Sequence, residues 1–218
     1  MIFFLNYIIA WLPRIFWVFV FILTLILYAR KLNDEADGRR KKYYKFLIAV
    51  SIAFHIFYAF VLTIGQYYMW SQNKLTQLLL NSPINNSLPA ANFPFSDTRL
   101  GYFLFYSYGR FWLKIIISIG VAFAFYAFLK FLKKYKERFF RDGEVELGFL
   151  TALIAGWPNF VMFLPLVFLS VVLIAIFRRV ILKEEYTTLG WPFLLASLLT
   201  LIWGYKLIEI FKLGMLKI

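Results

Sequence analysis

Apolar residues run along this chain in long, nearly unbroken stretches, and the polar residues gather in the gaps between them. What repeats is a block of about 20 apolar residues, the length needed to cross a bilayer core. The first run covers 2–29 and is divided by Pro13. Its second part predicts a span at 13–28, with 2–11 lying along the interface and Trp11 at headgroup level. Further spans are predicted at 46–67, 111–132, 158–177 and 192–211. Residues 69–108 break the pattern, being rich in Asn, Ser and Pro, and form one long connector. The expected fold is therefore an all-α integral membrane protein, a single polytopic domain over 1–218 with five spans.

Charge placement gives the spans a direction. The gap "ARKLNDEADGRRKKYYK" holds seven basic residues, and "KFLKKYKERFFRDGEVE" holds six. The 69–108 section holds only Lys74 and Arg99. Basic loops are retained on the cytoplasmic side far more often than they are translocated. The N-terminus and 69–108 are thus expected outside, and the two basic loops inside. The N-terminus lacks a basic n-region and a small-residue cleavage site, so it is read as part of the mature chain. The expected location is the plasma membrane of a prokaryote, with an organelle inner membrane as the alternative.

The net charge of +13 in a soluble chain would suggest nucleic acid. Here only 16% of residues are charged and the cations flank apolar runs. The expected partners are the lipid bilayer, with anionic headgroups at the basic loops, and other membrane proteins; nucleic acid is not expected. The chain has no cysteine and one histidine, His55, which removes Cys/His zinc sites, iron–sulfur clusters and cysteine nucleophiles. No cofactor and no metal are expected.

The motif Gly-Trp-Pro occurs at 156–158 and again at 190–192. Laid over each other at an offset of 34 residues, the two segments match through Phe177 and Phe211, each followed by a cation. Proline suits the first helical position and tryptophan the interface, so both segments read as spans starting at the motif. Residues 147–155 then form a short interfacial helix, and the connector 178–191 falls outside. The alternative is four spans plus a re-entrant hairpin at 147–177, broken at Gly156, Pro158 and Asn159. Irregular backbone at membrane depth is tolerated only inside protein or beside a cavity, and such breaks mark transporter sites. The hairpin keeps Arg178 and Arg179 inside, as the charge rule prefers. Pro165 is expected to kink the fourth span.

Chemistry-bearing side chains are few. Ser51, His55, Tyr58 and Gln66 share an arc of about 80° on the second span. An intramembrane ionisable residue is a functional candidate, though no second ionisable group sits mid-span to complete a proton relay. His55, Gln66, Gly156, Pro158 and Asn159 are the candidate binding or transport residues. Asp97, Arg99 and Arg110 are the candidates in the outer section, next to the tyrosines of "GYFLFYSYGR". Glu144 and Glu146 fit a helix N-terminus, where negative charge is stabilising, and need no other role.

No nucleophile–base pair, Walker, Rossmann or HExxH pattern is present. The first functional expectation is a non-catalytic small subunit or scaffold of a membrane complex. The second is a transporter or channel for a small solute or lipid using the broken helix at 156–159. The third is a membrane enzyme with its site in the outer section.

Overall fold

A computed structural model describes residues 2–30, 37–84, 94, 97–136, 138, 140–183 and 188–216. Among the described residues there are eight α-helices and no strand. They are α1 (Ile2–Ala29), α2 (Asp37–Gln72), α3 (Lys74–Leu80), α4 (Gly101–Ser107), α5 (Leu113–Tyr135), α6 (Glu144–Ala155), α7 (Phe160–Phe177) and α8 (Gly190–Ile210). A π-helical turn, Tyr108–Trp112, joins α4 to α5, and another, Arg178–Leu182, extends α7. Five helices are long and apolar enough to cross a membrane. This is an all-α architecture of the integral membrane kind.

Several boundaries differ from the sequence expectation. α1 does not begin at Pro13; it is a single helix from Ile2 with Pro13 inside it. A proline interior to a helix forfeits one backbone hydrogen bond, which apolar helices tolerate when neighbouring groups compensate. The 69–108 section is partly helical, because α2 runs on to Gln72 and α3 and α4 lie within it. Asn73 sits between α2 and α3 in extended conformation, and its side chain caps α3 by accepting from the Leu75 N–H at 3.0 Å.

The chain divides into two compact units, with α2 and α5 contributing to both. Unit 1 comprises 1–52 and 118–217. Its core is built on α6, all twelve residues of which are buried. Leu147, Leu150 and Leu153 of α6 meet Val20 of α1, Phe125 and Leu129 of α5, Phe163 of α7 and Phe193 of α8 in one cluster. α8 turns a stripe of small residues inward (Ala196, Ser197, Thr200 and Gly204), which lets α7 approach closely along its length. Four buried hydroxyls are satisfied by their own helices: Thr24 donates to the Val20 carbonyl, Thr151 to Gly148, Ser197 to Leu194 and Thr200 to Ala196.

The path of α6 and α7 follows from these contacts. The start of α6 lies beside the end of α1 and the start of α8, where Tyr28 reaches Glu144 and Thr188. The end of α6 lies beside Ser118 on α5, and Asn159 lies against Gly204, about 21 Å along α8 from Gly190. Five residues separate Leu182 from Thr188, so the two lie within a reach of about 20–22 Å at most. α7 therefore has to return toward the end of the unit where α6 began. α6 and α7 form a helical hairpin with both open ends at the same end of unit 1, alongside the end of α1 and the starts of α2 and α8. Residues 147–155 are accordingly not an interfacial helix. Pro158 is not a first helical position either, since α7 begins at Phe160.

Unit 2 covers 53–117 and is held by aromatic rings. Trp70 packs against Tyr102, Phe103 and Tyr106, and Tyr67 meets Phe103 edge-on. Trp112 stands edge-on to Phe60 and donates its indole N–H to Thr63 at 3.2 Å. Leu80, Ile84 and Phe103 are buried.

Candidate functional site

Two polar constellations stand out in unit 1, one at each end of α6. The first centres on Glu144, which is 2% exposed. Its carboxylate accepts from the Tyr28 hydroxyl at 3.1 Å and from the Arg141 backbone N–H at 3.1 Å. The Thr188 hydroxyl and the Gly190 backbone N–H are further hydrogen-bond partners. Glu144 opens α6 and Gly190 opens α8, so one negative charge lies at the positive ends of two helix dipoles. Burial pushes the Glu144 carboxyl above its ordinary range, against the pull of these donors.

The neighbourhood is otherwise basic. Arg40 is buried and donates to the carbonyl of Arg30 at 2.9 Å, beside the end of α1. Lys41 meets the buried Glu146 at 3.5 Å. Lys133 pairs with Asp142 at 2.9 Å and holds that exposed carboxyl below its usual range. The Tyr44 ring packs beside Gly143, whose φ of +89° would strain any other residue. The Tyr44 hydroxyl is buried without a hydrogen-bond partner. The arrangement ties α1, α2, α5, α6 and α8 together at one end.

The second constellation is the hairpin turn. Gly156 adopts φ +60° and ψ 167°, a conformation that only glycine takes readily. The Trp157–Pro158 peptide bond is cis. Trp157 donates its backbone N–H to the Ser118 hydroxyl at 3.3 Å and its indole N–H to the Leu216 carbonyl at 3.0 Å. The turn is thereby fastened to α5 and to the segment after α8. Pro158 is buried, and the Asn159 side-chain oxygen is buried without a hydrogen-bond partner. The Asn159 amide lies so close to Gly204 that a Cβ there would stand 3.0 Å from its Cγ.

The sequence candidates fall in different places. Gly156, Pro158 and Asn159 come together in the hairpin turn. His55 and Gln66 belong to unit 2, on α2, and are partly buried. Asp97, Arg99 and Arg110 are exposed, Arg110 within the π-helical turn. Tyr106 turns into the aromatic cluster with Trp70 and Phe111. Among the described residues no three of His, Asp and Glu come together in a way that could hold a metal ion. Sequence reasoning passed over the Glu144 cluster. The available signal was a pair of acids, Glu144 and Glu146, at the head of an apolar helix inside a basic region.

No protein-family model, no characterised protein and no solved structure matches the chain.

Proposed function

We propose that the protein is a non-catalytic component of a membrane assembly, a small subunit or scaffold, with a rigid core built around a re-entrant α6–α7 hairpin. In this reading the N-terminus faces outward, and the hairpin enters and leaves on the cytoplasmic side of a prokaryotic plasma membrane. The observation that supports it is the complete burial of α6, with the Glu144 carboxylate hydrogen-bonded by Tyr28, Arg141, Thr188 and Gly190. A buried acid supplied with that many donors acts as a fastener between helices. Chemical cross-linking in native membranes, followed by denaturing electrophoresis, tests the proposal. The expected product is a discrete band heavier than the 25.9 kDa chain that contains a different polypeptide. A chain that stays monomeric at every cross-linker concentration contradicts it.

One observation favours passage of a small solute or lipid as a second reading: the unpartnered, buried Asn159 oxygen at a broken helix. Flux in proteoliposomes that Asn159→Ala abolishes without lowering thermal stability supports this reading. Equal flux in wild type and variant removes it.

A further inference from the structure

The short helix α3 leaves three leucines exposed, Leu75, Leu78 and Leu79. At 100° per residue, Leu75, Leu78 and Leu79 fall within an arc of about 100°. Leu75 is 74% exposed and Leu78 70% exposed. The rest of the helix is anchored. Thr76 donates to the Trp70 carbonyl at 2.8 Å and Gln77 donates to the Ser71 carbonyl at 2.6 Å. Leu80 is buried, and α3 packs against α4. These contacts fix the rotation of α3 and hold the three leucines outward.

Their surroundings identify what covers them. α3 is separated only by Asn73 from α2, a helix long and apolar enough to cross a membrane. The last turns of α2 carry Tyr67, Tyr68 and Trp70, residue types that settle at the headgroup level. The exposed rings of Phe57, Phe60, Tyr67 and Tyr68, with Ile64, make an exposed apolar stripe on a helix long and apolar enough to cross a membrane, and the stripe runs to the point where α3 begins. Lys74 is the only charged residue of α3 and stands at its first position, exposed, where its ammonium can reach lipid phosphate.

We propose that α3 is a membrane-surface foot: Leu75, Leu78 and Leu79 insert among the acyl chains just below the headgroups of the leaflet in which α2 ends. An interfacial helix buries its apolar face about 5–10 Å into that boundary. The foot fixes the depth of α2 in the bilayer and holds α4, and with it the aromatic cluster around Trp70, at the membrane surface.

The test uses the absence of native cysteine. The full chain carrying Leu78→Cys is labelled with an environment-sensitive fluorophore and reconstituted into phosphatidylcholine–phosphatidylglycerol vesicles. Leu78 is exposed, so the change leaves packing alone. Arg99→Cys, at an exposed position before α4, is the control. The expected result is blue-shifted emission from the Leu78 label, quenched several-fold more strongly by doxyl groups high on the acyl chains than by aqueous iodide, with the order reversed for the control. Quenching of the Leu78 label chiefly by iodide overturns the proposal. Protection from both quenchers also overturns it, because protein then covers the leucines.

Discussion

Replacing Gly190 with alanine is expected to lower the thermal stability of the protein sharply, although it adds a single methyl group. Gly190 is the first residue of α8 and is buried, and a Cβ there would overlap the ring and hydroxyl of Tyr28. A flexible side chain tip could swing away from such a clash, but a phenol ring has to move as a whole. Tyr28 is also held edge-on against Trp191 at 5.3 Å between ring centres and donates to Glu144. Displacing it combines overpacking, typically about 1–3 kcal/mol, with loss of a buried hydrogen bond, about 1–3 kcal/mol where a partner is left unsatisfied. Thermal unfolding in mild detergent, followed by circular dichroism, is the measurement. A Gly190→Ala protein that melts with the wild type contradicts the packing described. Adding Tyr28→Ala to Gly190→Ala vacates the space, so the two changes together are expected to cost less than the sum of their separate effects.

Glu144→Ala is expected to have an effect of the same order through electrostatics. It removes the acceptor for the Tyr28 hydroxyl and the Arg141 N–H and a partner of Thr188 and Gly190, leaving buried donors at about 1–3 kcal/mol each where nothing replaces it. The conservative Glu144→Gln keeps one acceptor oxygen and should fall between. Acidity separates the two forms of the residue. Folding raises the Glu144 carboxyl above its ordinary value of 4.5, so the folded protein binds this proton more tightly than the unfolded chain. Stability assigned to Glu144 therefore falls as pH rises from 4.5 through the raised folded value, and is constant below 4.5. Asp142 has the opposite sign: its Lys133-stabilised carboxylate contributes above its ordinary value of 3.8 and loses that contribution as pH falls further. Melting curves of wild type and Glu144→Gln between pH 4.5 and neutrality should show wild type gaining on the variant as the pH is lowered. A constant difference across that range contradicts the burial of this acid.

The membrane class and the five long apolar helices were legible in the sequence because both depend on composition over about 20 residues, which tertiary context does not change. The hairpin was harder to read. The two Gly-Trp-Pro motifs look alike, yet one forms the irregular turn before α7 and the other lies in the first turn of α8. Each is compatible with either local conformation, and the choice is made by what surrounds it: Ser118, Gly204 and Leu216 at the first, Tyr28 and Glu144 at the second. Arg178 and Arg179 carried the better clue. Their charge favoured the side of the basic loops, and a hairpin that returns to that end satisfies it. Glu144 was legible only as a helix-opening acid, because such acids are common and nothing local announces that Tyr28 and Gly190, distant in sequence, will close over it.

The return of α7 to the end where α6 began is tested most directly by sided labelling in intact cells. Single cysteines at Lys42, Lys183 and Met215, all exposed positions, report the start of α2, the connector before α8 and the segment after α8. The hairpin predicts that Lys42→Cys and Lys183→Cys react from the same side of the membrane and Met215→Cys from the other. Reaction of Lys183→Cys from the side opposite to Lys42→Cys would mean that α7 continues across the bilayer away from the basic end, and the hairpin would be wrong.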